Sequence, residues 1–132
     1  MPTPTHQLRL RVVPGRFAVC RLPSASELPS WANDGAFVSI TRARDELSIV
    51  CDESQVPAGT QCERDFAALG VEGTLAPDLV GVMVSIATPL ADAGIPILAI
   101  GTYDTDYVLV RESDLEAAVA ALRGAGHAVS TD

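Results

Sequence analysis

The order of hydrophobic patterns after residue 62 constrains this chain more than any other feature. A strand pattern near Ala67–Glu72 is followed by Leu79, Val82, Met83, Ile86 and Leu90, spaced by three and four, which places them on one helix face. Asp78 is the expected N-cap of that helix and Gly94 its stop. Ile95–Ile100 reads as a buried strand, Gly101–Thr105 as a turn, and Asp106–Arg111 as a second strand rich in Val, Leu and Tyr. Ser113-Asp114-Leu115-Glu116 has the form of a capping box, and Leu115, Val119 and Leu122 make the stripe of the helix behind it. Gly124 and Gly126 end that helix before a last strand at His127–Ser130. Each helix has one apolar stripe to bury and the sheet has one apolar face. The predicted fold class is therefore α+β, a ferredoxin-like βαββαβ unit with an antiparallel sheet and both helices on one side.

The first half repeats this order loosely. Met1–Thr5, with two prolines, reads as a frayed start, and Leu8, Leu10 and Val12 then alternate as a strand. Pro14-Gly15 is expected to turn the chain into a second strand, Phe17–Leu22. Pro23–Asn33 is rich in turn formers and holds at most one short helix around Ser26, Pro29 and Trp31. Phe37–Arg42 and Glu46–Asp52 read as strands joined at Arg42-Ala43-Arg44-Asp45, with Leu47, Ile49 and Cys51 sharing a face, and Pro57–Gly59 is a loop. Element order thus suggests two tandem units, a degenerate one over 1–61 and a complete one over 62–132.

Charge and composition remove several functions. A net charge of −8 opposes binding to DNA or RNA. All nine basic residues are Arg, which excludes a Schiff-base lysine, a pyridoxal phosphate anchor and a P-loop lysine. No basic-then-apolar leader and no run of about 18 apolar residues is present, so a cytoplasmic protein that does not enter membranes is expected. Cys20, Cys51 and Cys62 form no CxxC pair and read as packed thiols; Trp31 also reads as packing. His6 and His127 lie far apart in sequence and read as solvated, which leaves no histidine-based catalytic site. Asp104 and Asp106 alternate in an extended segment, yet the sequence supplies neither a calcium loop nor a His pair, so no metal and no cofactor are expected.

Five stretches resemble the ACT domain family, and within it the paired ACT-like units of bacterial relatives of CASTOR-type arginine sensors. They are Phe17-Ala-Val-Cys-Arg-Leu-Pro23, Phe37-Val-Ser-Ile-Thr41, Asp45-Glu-Leu-Ser-Ile-Val50, Pro89-Leu-Ala-Asp-Ala-Gly-Ile95 and Thr102-Tyr-Asp-Thr-Asp-Tyr-Val-Leu-Val110. The resemblance implies a regulatory module without catalysis, which senses an amino acid or similar metabolite where units pair side by side. It implies ligand contacts at Gly81 and Val82 on the helix start and at Thr102, Tyr103 and Asp106 on the hairpin. The acidic residue of the sensors' helix-start segment is matched here by Leu79, so the resemblance leaves the ligand unnamed. The sensors carry four units and this chain has room for two, which implies a homodimer.

The chemistry of those residues is coherent with such a site. Helix-start amides near Leu79–Val82 can receive a carboxylate, and Gly81 permits close approach. Asp106, beside Tyr103, can pair with an ammonium or guanidinium group. The competing reading makes Asp104 and Asp106 ordinary turn residues bonded to their own backbone. Two functions remain open: a small-molecule sensor, or a structural pairing module without a ligand.

Overall fold

The computed structural model describes residues 6–76 and 79–131. Met1–Thr5 and the expected cap Asp78 lie outside the described residues. The chain divides into two compact units, one of Val13–Phe66 and the other of Met1–Val12 with Ala67–Asp132. Strands β1 (Arg9–Leu22) and β4 (Cys62–Val71) contribute residues to both. β1 is a correction to the sequence reading, because Pro14-Gly15 does not reverse the chain. The pair instead lies inside one continuous strand, where Gly15 takes φ 102°, and no turn into a second strand forms.

The unit of residues 13–66 has the strand order β2-β3-β1-β4, with β2 at Ser39–Arg42 and β3 at Leu47–Asp52. β2 and β3 pair antiparallel from Ser39 opposite Val50 to Arg42 opposite Leu47, and Ala43 N donates to Glu46 O at 2.8 Å across the loop. β1 pairs antiparallel with β3 from Phe17 opposite Asp52 to Leu22 opposite Leu47. Leu47, Ile49 and Cys51 do share a buried face, with Ala18, Cys20, Ala32 and Val56, and Trp31 packs against it. No α-helix forms among the described residues of this unit; the expected helix around Trp31 is one 3₁₀ turn, Ser30–Asn33.

In the other unit the strand order is β7-β1-β4-β6-β5, with β5 at Leu98–Gly101, β6 at Asp106–Arg111 and β7 at Ala128–Ser130. β5 and β6 pair antiparallel from Leu98 opposite Leu109 to Gly101 opposite Asp106. β7 departs from the all-antiparallel expectation: it runs parallel to the opening of β1, with Arg9 opposite Ala128 and Arg11 opposite Ser130. Helices α1 (Val82–Asp92) and α2 (Leu115–Gly124) bury Val82, Ile86, Leu90, Val119 and Leu122 in one core with Leu10, Leu69, Val108 and Val110 of the sheet. Among the described residues no helix is long and apolar enough to cross a membrane.

Both helix starts differ from the sequence pattern. α1 begins three residues after Leu79 because Gly81 is left-handed (φ 85°, ψ 9°), which breaks the helical run; Gly94, at φ 74°, ends it as expected. The Ser113–Glu116 capping box does not form. Ser113 sits inside a 3₁₀ turn, Glu112–Asp114, and Asp114 is the N-cap without a side-chain bond.

His127 is also corrected: it is buried, at 5% exposure. Pro89 lies inside α1 and has no N–H for the Ser85 carbonyl one turn earlier. That carbonyl instead accepts from His127 Nε2 at 2.9 Å, while His127 Nδ1 accepts from Leu8 N at 3.1 Å. The two partners fix the neutral Nε2–H tautomer. His127→Phe keeps a flat ring, somewhat larger, and leaves both backbone groups without this partner, so urea unfolding should show a loss of about 2 kcal/mol or more; an unchanged midpoint would contradict the bridge.

Burial, and then the neighbouring Cys51 and Cys62, push the Cys20 thiol up to about 12 from its ordinary 9.0. The folded state therefore keeps a proton that the unfolded chain releases first. This contribution is complete below pH 9.0 and is lost as pH rises toward about 12. Unfolding measured between about pH 8 and 11 should show a falling stability whose slope is shallower in Cys20→Ala.

Candidate functional site

A cleft of about 320 Å³ opens where three pieces of the 67–132 segment meet: the chain leaving β4, the start of α1 and the β5–β6 hairpin. The five residues singled out from sequence, Gly81, Val82, Thr102, Tyr103 and Asp106, all line it. The sequence pattern does not single out Leu75, Met83, Val84 or Thr105, which also form its walls. Met83 belongs to the helical stripe, but periodicity reports burial and cannot tell a core position from a cleft wall.

The helix wall follows from Gly81. Its left-handed backbone turns the chain into α1, and its carbonyl accepts from both Ser85 N at 3.0 Å and Ser85 Oγ at 2.9 Å. The amides of Val82–Val84 open the helix, where no earlier turn supplies carbonyls, and they carry the positive end of the helix dipole. His6 steadies this end: its backbone N donates to Ser85 Oγ at 3.1 Å, and its Nε2 contacts the Val80 carbonyl at 2.6 Å. His6 is thus a positioning residue, where a solvated side chain was expected.

The opposite wall is a turn closed by threonine. Thr102 N donates to Thr105 O at 2.8 Å, Thr102 Oγ1 donates to the same carbonyl at 3.0 Å, and Thr105 N donates back to Thr102 Oγ1 at 3.1 Å. The hairpin is then fastened to the end of β4 and to the chain beyond it, since Thr105 Oγ1 donates to Val71 O at 2.8 Å and Leu75 N donates to Asp104 O at 2.7 Å. The side-chain bonds that close the turn are therefore made by Thr102. Asp106 is half-buried and pairs across the strands with Gly101; a Cβ on Gly101 would lie 3.5 Å from Asp106 Oδ1, so the carboxylate rests over that glycine. Tyr103 stands at the rim, 91% exposed.

The described lining contains two carboxylates, Asp104 and Asp106, and no basic side chain. One wall thus offers negative charge and the other backbone donors. Among the described residues no group of three or more His, Cys, Asp or Glu is arranged to hold a metal ion.

Residues 61–124 match the ACT domain family model, and residues 15–59 match a second model, of an N-terminal domain. The structure is similar to the crystal structure of protein Atu0741 from Agobacterium tumefaciens, with a TM-score of 0.92 and 35% identity over 97% of this chain and 96% of that one. The chain belongs to the Atu0741 family. The same fold recurs in VC0802 from Vibrio cholerae, described as a possible transport protein, at a TM-score of 0.74 and 20% identity, covering 91% of each chain. It recurs too in the regulatory subunit of aspartate kinase from Thermus flavus, at 0.58 and 12%, covering 92% of this chain and 97% of that one. No curated protein matches the chain. In this Atu0741-family member the whole cleft falls within the ACT match.

Gly81→Ala tests the helix wall. A side chain at φ 85° is strained, and thermal or urea unfolding should report a loss of about 1–2 kcal/mol. A neutral result would mean that the left-handed turn is not what starts α1.

Proposed function

We propose that this chain is a non-catalytic regulatory module that binds a free amino acid, or a metabolite of like charge, in the cleft between the α1 start and the β5–β6 hairpin. The observation that carries this reading is the pairing of the Gly81–Val84 helix start with the half-buried carboxylate of Asp106 around one cleft. The helix start receives the ligand carboxylate, and Asp106 receives its ammonium through a charge-assisted hydrogen bond. A cleft of about 320 Å³ suits a small metabolite. The ACT match over 61–124 supports the reading, as does the likeness in fold to a protein described as a regulatory subunit of aspartate kinase. The quoted sequence stretches extend it to a kinship with CASTOR-type sensors, with 62–132 as the binding unit and 1–61 as its degenerate partner.

The site is open, and a second copy of the chain would close it in a homodimer. Val80, at 76% exposure, stands with Leu79 and Val84 as apolar surface around the helix start. That surface also favours the second reading, a pairing module that needs no ligand.

Thermal melts of the protein against each of the twenty amino acids separate the two. At one hundred times its Kd, about 2.7 kcal/mol of stabilisation accompanies any ligand that binds only the folded state. At least one amino acid should raise Tm, and Asp106→Ala should remove the rise. A flat panel with folded protein, together with a dimer by sedimentation, would instead establish the pairing reading.

A further inference from the structure

The unit of residues 13–66 carries a second cleft, of about 220 Å³, at the edge of a thiol cluster. Arg21 N donates to Gln61 O at 2.9 Å. In an antiparallel ladder such a bond joins residues directly opposite, so the next pair along β1 and β4 is Cys20 and Cys62. This pair is of the non-hydrogen-bonded kind, with Cα atoms about 4.5 Å apart and side chains on one face. That spacing lies inside the range of about 4.4–6.8 Å that a disulfide requires. Cys51 stands opposite Ala18, which makes it a diagonal neighbour of Cys20. The Cys51 and Cys20 side chains hydrogen-bond each other, yet diagonal Cα atoms are about 7–8 Å apart, so a disulfide between these two needs the backbone to move.

Access separates the three thiols as well. Cys20 and Cys51 are buried, whereas Cys62 is partly exposed, and both Cys20 and Cys62 line the cleft. We infer that Cys20 and Cys62 form a redox-responsive dithiol, which small-molecule disulfides convert to a cross-strand disulfide while Cys51 stays a thiol.

The exchange runs in two steps. The Cys62 sulfur, as thiolate, attacks one sulfur of the disulfide R–S–S–R; a Cys62–S–S–R bond forms, the R–S–S–R bond breaks, and the departing thiolate takes a proton from water. Cys20 then loses its proton, its sulfur attacks Sγ of Cys62, and the second R–S⁻ leaves and is protonated. The protein loses two hydrogens and the oxidant becomes two R–SH. The order follows from the environments: burial holds Cys20 protonated, so the accessible Cys62 reacts first and Cys20 resolves.

The full chain, incubated folded with oxidised glutathione and then alkylated, provides the test. Free thiols should fall from three to one, with the mass of two hydrogens lost, and peptide mapping should join Cys20 to Cys62. Dithiothreitol should reverse the change. Cys51→Ser should form the same bridge and Cys62→Ser should form none. Three persisting thiols, a bridge that includes Cys51, or a glutathione adduct on Cys62 that never resolves would each overturn the inference. Mapping on the unsubstituted protein decides the matter even if a variant fails to fold.

Discussion

Pro89 takes one hydrogen bond out of α1, and the replacement for that bond ties together the unit that contains α1 and α2. The Ser85 carbonyl, left without an N–H one turn later, is met by His127 Nε2, whose other ring nitrogen accepts from Leu8 N. One imidazole thereby connects the middle of a helix, the approach to β1 and the approach to β7. An imidazole in an apolar core is stable only when both nitrogens are satisfied, and the parallel seating of β7 beside β1 keeps the ring where both partners are within reach. Ser85 carries the connection further, because its hydroxyl donates to Gly81 and accepts from His6. The start of α1, one wall of the candidate site, is anchored through this chain of bonds.

The site arises from two local rules. A glycine in the left-handed region begins α1 with its amides open to the cleft, and threonine hydroxyls close the facing turn and fasten it to Val71. Threonine does the turn's bonding, so Asp106 is available for chemistry of another kind. Because the hairpin is bound to β4 and the helix start to His6 and Ser85, both walls are held in position before any ligand arrives, which limits the ordering cost of binding.

Much of this architecture is legible in the sequence where periodicity alone decides it. The pattern of Asp106–Arg111 matches its strand to the residue, the spacing of Val82, Ile86 and Leu90 marks the buried face of α1, and Gly94 marks its end. Sequence and structure part where a single residue overrides a pattern. Gly81 stops the helix before Leu79 can join it, Pro14-Gly15 lies within a strand where composition reads a turn, and a 3₁₀ turn displaces Ser113 from its capping place. The burial of His127 is invisible in the sequence because its partner carbonyl lacks a helical N–H donor only on account of a proline 38 residues away. The convergence of Gly81, Val82, Thr102, Tyr103 and Asp106 on one cleft is a reading that rests on family resemblance. Leu75, Val84 and Thr105 escape it because no periodic signal marks a cleft wall.

The most direct measurement of ligand binding at this site is two-dimensional NMR of the amide groups during titration with the amino acid that stabilises the protein most. Binding as described should shift the Gly81–Val84 and Thr102–Asp106 amides together and saturably, with the 13–66 unit far less affected. Shifts confined to other residues, or none at saturating concentration, would contradict it.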